Sequence, residues 1–143
     1  MPNAENFDLA SFLPYLLNRA AEESSVEFAR IYKDRYGLLR TEWRVLFHLG
    51  QHGEMTATDI GRLSRIHKTK ISRAVAGLQK RRYLRKTPSS QDRRREFLSL
   101  TDQGVQVFKA LNKEAQSYNQ RLLARFTPKE QAALLLSLKK LGG

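Results

Sequence analysis

The feature that most constrains this chain is a basic stretch over residues 56–101, where positive charge is concentrated on short elements. The segment from Arg62 to Arg95 contains thirteen of the twenty-six Lys and Arg residues, and its only acidic residue is Asp92. Two short helical patterns come first, and two strand-like runs follow around an Arg-rich tip. Scattered lysines would serve solubility equally well, so the clustering favours a polyanionic partner. The pattern predicts a helix-turn-helix followed by a β-hairpin wing.

Composition narrows the class of protein. The length of 143 residues suggests one domain with a real core. The 26 Lys and Arg residues against 14 Asp and Glu give a net charge of +12, which favours a nucleic acid, such as double-stranded DNA, or an anionic surface as partner. The absence of cysteine excludes disulfides, thiolate nucleophiles and Cys₄ zinc sites. The first residues lack a signal-peptide layout and the apolar runs are too short to span a bilayer. We therefore expect a soluble, cytoplasmic protein with no membrane partner.

Long apolar helical patterns flank the basic stretch. They occupy residues 7–36 and 102–141, on either side of a winged helix-turn-helix region over 40–101. Pro14 is expected to kink the first helix or to mark its first turn. The apolar stripes are long for so small a domain, which indicates dimerisation, although they would also serve to cover the domain's own core. The predicted fold class is mainly α with a small β-hairpin wing: a single domain over 1–143, in which N- and C-terminal dimerisation helices flank a winged helix-turn-helix.

Capping residues predict where the helices begin and end. Asp8 or Asn6 is the predicted N-cap of the first helix, and the predicted threonine N-caps are Thr41, Thr56, Thr101 and Thr127. Gly37 is expected to end the first helix, and Gly50 or Gly53 the second. Ile60 and Leu63 are expected to form the buried face of the third helix.

The helix predicted from about His67 to Arg81 has two different faces. Its apolar face consists of Ile71, Ala74, Val75 and Leu78. The opposite face is polar and basic, and its small side chains allow close approach to the floor of a DNA groove. The candidate DNA-binding residues on this helix are Lys68, Thr69, Lys70, Ser72 and Arg73. A solvated helix face is the alternative, but the flanking segments supply the other parts of a DNA-binding module.

The two strand-like runs, 83–87 and 95–101, enclose turn residues and predict a hairpin. The candidate DNA-binding residues at its tip are Asp92, Arg93, Arg94 and Arg95. A thin hairpin that carries arginine at its tip fits the narrow minor groove, where the potential is most negative. The alternative is a solvated run of charge.

Taken together, these pieces resemble the MarR family of winged-helix transcription regulators over nearly the whole chain. They are Trp43 to Leu46, Thr56 to Leu63, Lys68 to Val75 with Leu78, and Asp92 to Thr101 with Gly104. The most specific part is the Asp-Arg-Arg run followed by Leu-Thr-x-x-Gly. The resemblance implies an obligate homodimer on a pseudo-palindromic operator, with the recognition helix in the major groove. It also implies that Arg94, held by Asp92, enters the minor groove and that Arg93 and Arg95 help to bind phosphates.

A small-molecule effector is implied by the same resemblance, because family members are often released from DNA by anionic aromatic compounds. Aromatic residues would stack on such a ligand and an arginine would meet its carboxylate. The candidate pocket residues are Tyr36, Trp43, Arg44, Phe47 and His48. A packed core beside a surface arginine is the alternative. Two positions depart from the family pattern: His67 stands where an acidic residue is common, and Arg82 where glycine is usual. Arginine would be strained in a left-handed conformation, so we expect the helix before Arg82 to end differently.

No other chemistry is predicted. His48 and His52 share a helix face at a spacing that can hold a metal, but two ligands do not make a site, so neither a metal nor a cofactor is expected. The sequence has no nucleophile elbow and no phosphate-binding loop, so an enzyme is not expected. The leading hypothesis is a dimeric, sequence-specific DNA-binding regulator, specifically a repressor released by a small ligand. A non-specific architectural DNA-binding protein and a metal-responsive regulator are the alternatives.

Overall fold

The computed structural model describes residues 6–92 and 94–143, and helices dominate it. The helices are α1 (Leu13–Tyr36), α2 (Arg40–His52), α3 (Ala57–Ser64), α4 (Lys68–Lys80), α5 (Asp102–Leu123) and α6 (Pro128–Gly142). The strands are β1 (Met55–Thr56), β2 (Leu84–Pro88) and β3 (Glu96–Leu100). The predicted fold class, mainly α with a small β-hairpin wing, is confirmed.

The first helix is shorter than its apolar pattern. A 3₁₀ turn over Leu9–Ser11 comes first, capped by Asp8, and α1 begins at Leu13 with Pro14 in its first turn. Proline is tolerated there because the first N–H groups of a helix have no intrahelical partner. The helix ends as predicted at Gly37, whose φ of 64° lies in the left-handed region that glycine adopts without strain.

Three of the four predicted threonine N-caps are confirmed. The hydroxyl oxygens of Thr56, Thr101 and Thr127 each accept a hydrogen bond from an N–H in the first turn, at 3.1, 3.0 and 3.2 Å. The prediction for Thr41 was wrong: the N-cap of α2 is Leu39, so the helix begins two residues earlier than predicted. Leucine has no side-chain acceptor, and the helix start is stabilised from the other side, because the Leu39 N–H donates to Glu42 Oε1 at 2.8 Å. The helix runs through Gly50 and ends at Gly53.

The core lies between α2, α3, α4 and the sheet, and it extends to the C-terminal half of α1 and to α5. The largest fully buried side chains are Leu38, Val45, Leu46, Ile60, Ile71, Leu78 and Leu111. The predicted apolar face of α4 is buried throughout. On α3 only half of the prediction was right, because Ile60 is buried and Leu63 is 56% exposed. Helical spacing shows which residues share a face, but not how much of that face the neighbours cover.

The sheet has the order β1-β3-β2, and both pairings are antiparallel. Strands β2 and β3 form the predicted hairpin, in the register Leu84 to Leu100 and Pro88 to Glu96. Strand β1 was not predicted, since two residues become a strand only by pairing with β3. The expectation about Arg82 was wrong: it adopts the left-handed conformation, with φ 66°. Its carbonyl oxygen accepts a hydrogen bond of 2.6 Å from the Thr101 hydroxyl, which ties the end of the α4 segment to the start of α5.

The terminal helices differ in how much of their apolar surface is buried by the rest of the chain. Helices α1 and α5 pack together through ion pairs between Arg35 and Glu114 at 2.9 Å and between Arg121 and Glu27 at 3.3 Å. By contrast, no residue of α6 is buried. The large exposed apolar residues at the two ends are Phe7, Leu9, Phe12, Leu13, Leu16, Phe126, Leu134, Leu135, Leu136, Leu138 and Leu141. Among the described residues, none of the helices is long and apolar enough to cross a membrane.

Candidate nucleic-acid interface

The outer face of α4 carries every residue predicted for the recognition helix. Each of these side chains is exposed; they are Lys68, Thr69, Lys70, Ser72 and Arg73. The buried face of the helix fixes their direction, because Ile71, Ala74 and Val75 pack into the core. The start of the helix is capped by His67, whose Nδ1 accepts a hydrogen bond of 3.2 Å from the Thr69 N–H. Sequence reasoning missed this role, although histidine in place of the family's acidic residue still provides an acceptor.

The tip of the wing is ordered by Asp92. Its Oδ1 accepts a hydrogen bond from the main-chain N–H of Arg94 at 3.0 Å, and its carbonyl oxygen accepts one from Arg95 at 3.0 Å. Ser89 closes the turn, because its N–H donates to the Arg95 carbonyl at 2.9 Å and its hydroxyl oxygen accepts from Gln91 and Asp92. The aspartate thus holds Arg94 through the backbone. The predicted contact residue Arg93 lies outside the described residues.

The wing and the helix-turn-helix are electrostatically connected. Hydrogen bonds with the Thr56 side chain and backbone hold the pKa of Asp59 below its usual range, and the charges of Arg62 and Arg95 lower this pKa further. Arg95 directly precedes β3, and β3 contacts α3, whose first turn contains Asp59. The basic side chains of the helix-turn-helix and of the wing therefore lie on adjoining elements.

A cavity of about 430 Å³ lies between α1, α2 and α5. Of the predicted pocket residues, Trp43, Arg44 and Phe47 line it, while Tyr36 and His48 do not. The lining residues that sequence reasoning missed are Ser24, Ser25, Phe28, Tyr32, Arg40, Gln51, Asn112, Ala115, Gln116, Tyr118, Asn119 and Leu122. The helical spacing of Phe28 and Tyr32 could have suggested a shared face, but it could not show that this face looks towards α2 and α5.

The cavity is lined by aromatic rings and by two arginine side chains. The rings of Phe28 and Phe47 both lie edge-on to Trp43, with centroid distances of 5.3 and 5.2 Å. Arg40 and Arg44 follow each other by one helical turn, and no acidic side chain is among the lining residues. Burial lowers the pKa of Arg44, the neighbouring charge of Arg40 lowers it further, and Tyr32 acts in the opposite direction. A nearby anion would act in the direction opposite to both effects, because a negative charge favours the charged guanidinium group.

His48 and His52 lie one helical turn apart on α2. The rings of His48 and His52 stack with their centroids 6.0 Å apart. The Nδ1 atom of His48 is buried and makes no hydrogen bond among the described residues. Burial lowers the pKa of His48, and the charges of His52 and Arg44 lower it further. Residues 6–92 and 94–143 contain no group of three or more side chains placed to hold a metal ion.

Comparison with known proteins agrees with this geometry. A family model described as MarR family matches residues 36–95. The HTH-type transcriptional regulator YwaE of Bacillus subtilis is 31% identical over 124 residues, which are 87% of this chain and 72% of that protein. The chain belongs to the MarR family. This MarR-family protein is therefore a DNA-binding transcriptional regulator and not an enzyme.

Solved structures share the same fold. A MarR-family transcriptional regulator from Silicibacter pomeroyi is 26% identical with a TM-score of 0.78, covering 99% of this chain and 94% of that one. The PcaV transcriptional regulator from Streptomyces coelicolor, solved in complex with its natural ligand, has a TM-score of 0.83 at 24% identity, covering 95% of each chain. At that identity the similarity to PcaV shows the fold alone.

Proposed function

We propose that this MarR-family protein is a cytoplasmic, homodimeric repressor that binds a pseudo-palindromic operator and is released by a small aromatic anion. The observation that carries the proposal is the combination of an exposed polar face on α4 with a wing tip ordered by Asp92. A helix face of this kind suits the major groove, and an arginine on a thin hairpin suits the minor groove.

The groove roles follow from chemistry. Lys70, Ser72 and Arg73 supply donors to base edges and phosphates, as do the neighbouring Lys68 and Thr69. In the wing, Arg94 enters the minor groove, and the flanking Arg93 and Arg95 neutralise phosphates. Genomic footprinting tests this arrangement directly. We expect protected inverted repeats with half-sites about 34 Å apart, centre to centre. Uniform protection without a repeat would support the non-specific architectural alternative.

A second copy of the chain is the partner we propose for the apolar ends. Leu135, Leu136 and Leu138 of α6 are each more than 40% exposed in the single chain, and Leu13 and Leu16 of α1 are exposed to a similar degree. Monomeric proteins rarely leave so many large apolar side chains together in water. A dimer that buries them also fixes the separation of two wings and two recognition helices.

Sedimentation of single variants tests the dimer. We expect the parent to sediment as a dimer at micromolar concentration and Leu138→Glu to shift it towards monomer, because a carboxylate would be buried without a partner. Leu63→Glu is the matched control, since Leu63 is 56% exposed and belongs to α3, not to a terminal helix. A monomeric parent, or equal dissociation by both variants, would contradict the assignment of the interface.

The cavity supports the proposed class of effector. An aromatic ring fits among Phe28, Trp43 and Phe47, while Arg40 and Arg44 offer two guanidinium groups to one carboxylate. A ligand with a ring but no charge would leave these arginines unpaired. We therefore expect the anionic group to be essential and ring substituents to set the affinity.

A comparison of benzoate with its neutral analogue benzamide separates the contribution of the negative charge to binding from that of the aromatic ring. Benzoate at millimolar concentration should release the protein from its operator, and benzamide should be much weaker. Arg44→Met should abolish the difference between the two compounds, whereas Lys113→Met, which removes one exposed charge from α5, should preserve it. Equal effects of the two compounds on the parent would contradict an anion-selective cavity. Transcription of a reporter gene controlled by the operator should be repressed by the parent, and the effective compound should relieve this repression.

A further inference from the structure

A polar contact between the buried carboxylate of Glu42 and the exposed side chain of Arg81 connects the C-terminal end of α4 to the corner between α1 and α2. We propose that Glu42, Gly77 and Arg81 act as a joint that orients the recognition helix for DNA and couples it to the wall of the cavity. None of the three belongs to the outer face of α4 described above, so they would act as positioning residues. The inference rests on the proposed role of that outer face in the major groove.

Glu42 is the fixed centre of the joint. It is 3% exposed, although it is charged, and it lies in the first turn of α2. Its Oε1 accepts a hydrogen bond of 2.8 Å from the Leu39 N–H and lies 3.6 Å from Nη2 of Arg81. A carboxylate is costly to bury without such partners, so its position is closely determined by them.

Gly77 provides the space for this carboxylate. It is a helical residue of α4, and a Cβ atom at this position would collide with Oε2 of Glu42. Glycine in the middle of a helix costs about 1 kcal/mol relative to alanine. Its presence is explained here by the close approach of a side chain from another helix, which seats α4 directly against the start of α2.

Arg81 connects the same end of α4 to α1. Its Nη2 donates to the Gly37 carbonyl at 2.6 Å, and its Nη1 donates to the Tyr36 carbonyl at 3.4 Å. These carbonyl groups lie at the C-terminal end of α1, where the helix dipole favours a positive charge. One guanidinium group therefore joins the end of α4, the end of α1 and the start of α2.

The joint and the candidate DNA-contact residues lie at opposite ends of α4. Helix α4 has 13 residues, so its two ends lie about 20 Å apart. The joint holds the C-terminal end, while the candidate contact residues lie near the N-terminal end. A small rotation at the joint would therefore move those side chains relative to the groove.

The joint is also continuous with the cavity wall. Glu42 lies between Arg40 and Trp43 in the sequence, and both of these line the cavity. Phe28 and Tyr32 line it from α1, the helix whose last carbonyl groups receive Arg81. A change in the spacing of α1 and α2 at the cavity would thus displace Arg81 and Glu42 together. Because such coupling is reciprocal, DNA binding would in turn change the cavity.

Glu42→Gln distinguishes a positioning joint from a simple charge effect, because the two predict opposite changes in DNA affinity. Removing a negative charge from a DNA-binding protein should tighten binding by electrostatics alone. Loss of the joint should instead weaken it, by about 2- to 30-fold. Glu114→Gln is the matched control, because it removes the same charge from the 2.9 Å ion pair with Arg35, which joins α1 to α5. If Glu42→Gln binds as tightly as Glu114→Gln, there is no positioning joint.

Arg81→Met provides a second test should Glu42→Gln fold poorly. We expect it to bind more weakly than Arg35→Met, which removes the same charge from an exposed ion pair. Both are measured on operator and random duplexes, with thermal unfolding followed in parallel. Failure of the parent to prefer its operator would contradict the proposed function. The joint is tested separately, by the ratio of the variant's DNA affinity to that of the parent. Equal weakening by the two variants would overturn the joint.

Trp43, the only tryptophan of the chain, reports on the coupling. Its fluorescence should change when the parent is saturated with operator, because the joint transmits the binding event to the cavity wall. Arg81→Met should still reach saturation at higher concentration but lose most of this change. An unchanged emission in the parent, or an equal change in the variant, would show that the cavity is not coupled through this contact.

Discussion

The carboxylate of Asp92 accepts a hydrogen bond of 3.0 Å from the main-chain N–H of Arg94. Asp92, the only acidic residue between Arg62 and Arg95, therefore stabilises the shape of the wing turn, while its charge opposes binding to a phosphate backbone. The two effects have opposite signs for DNA affinity. Substitutions that keep the hydrogen bond and remove the charge can separate them.

We expect Asp92→Ala to weaken operator binding about fivefold, because a hydrogen bond that orders the turn contributes about 1 kcal/mol. Asp92→Asn should bind at least as tightly as the parent, since its amide oxygen keeps the acceptor and the negative charge is gone. Both affinities can be measured by fluorescence anisotropy at one salt concentration. Tighter binding by Asp92→Ala would show that charge outweighs turn geometry at this position.

Arg94→Ala and Lys70→Ala should give different changes in DNA recognition. Loss of Arg94 should reduce the preference for A·T pairs at the positions under the wing, because the narrow minor groove attracts arginine. Loss of Lys70 should act on overall affinity or on one base position, with a decrease of about 1 in the salt slope if it contacts a phosphate. Affinity for a set of single-base operator variants at several salt concentrations distinguishes these outcomes. Lys113→Ala, on the exposed face of α5, controls for net charge. Parent-like binding by both variants would contradict the groove assignments.

Arg82→Gly should stabilise the protein, because Arg82 has a φ of 66°. The left-handed conformation costs a residue with a Cβ about 1–2 kcal/mol, and the greater freedom of glycine in the unfolded chain offsets part of the gain. We expect a net increase of about 0.5 kcal/mol in the free energy of unfolding, measured by denaturant titration. Arg82→Ala is the control, since it removes the same side chain and keeps the Cβ. Equal stability of the two variants would indicate that backbone strain at this position is negligible.

His48 should make the stability depend on pH in a defined direction. Burial lowers its pKa in the folded state, whereas in the unfolded chain the pKa keeps its ordinary value of about 6.5. The unfolded state therefore binds more protons below about pH 6.5, and the free energy of unfolding should fall as the pH decreases from there. Urea titrations between pH 5 and pH 8 measure this dependence. His48→Gln should remove most of the pH dependence of stability in that window. His52→Gln should retain most of it, because burial is the main cause of the lowered pKa of His48. A parent whose stability rises on acidification would contradict this account of His48.

The elements predicted correctly from the sequence are those encoded locally. Thr56, Thr101 and Thr127 mark helix starts because the acceptor and its N–H donor lie within three residues of each other. The start of α2 was misplaced because Leu39 carries no capping side chain, and the acceptor comes from Glu42 inside the helix. Strand β1 was missed because its two residues depend on pairing with Leu98 and Phe97, some forty positions later.

The sites were only partly predictable for the same physical reason. The outer face of α4 could be identified because helical spacing separates Ile71 and Val75 from Lys70 and Arg73. The cavity required knowledge of how α1 and α5 approach α2, so Trp43, Arg44 and Phe47 were found and Phe28, Tyr32 and Arg40 were not. The approach of Glu42 to Gly77 joins two helices through tertiary packing, and no local pattern indicates it.

The central claim is that a cationic surface formed by α4 and the wing reads sequence, and competition binding tests it most directly. The parent is bound to the footprinted operator at about 0.15 M salt and challenged with unlabelled operator or with a random duplex of equal length. We predict a preference for the operator of about 10³-fold or more, as is typical of specific DNA-binding proteins. Equal competition by the two duplexes would contradict sequence-specific recognition and would support a non-specific architectural role.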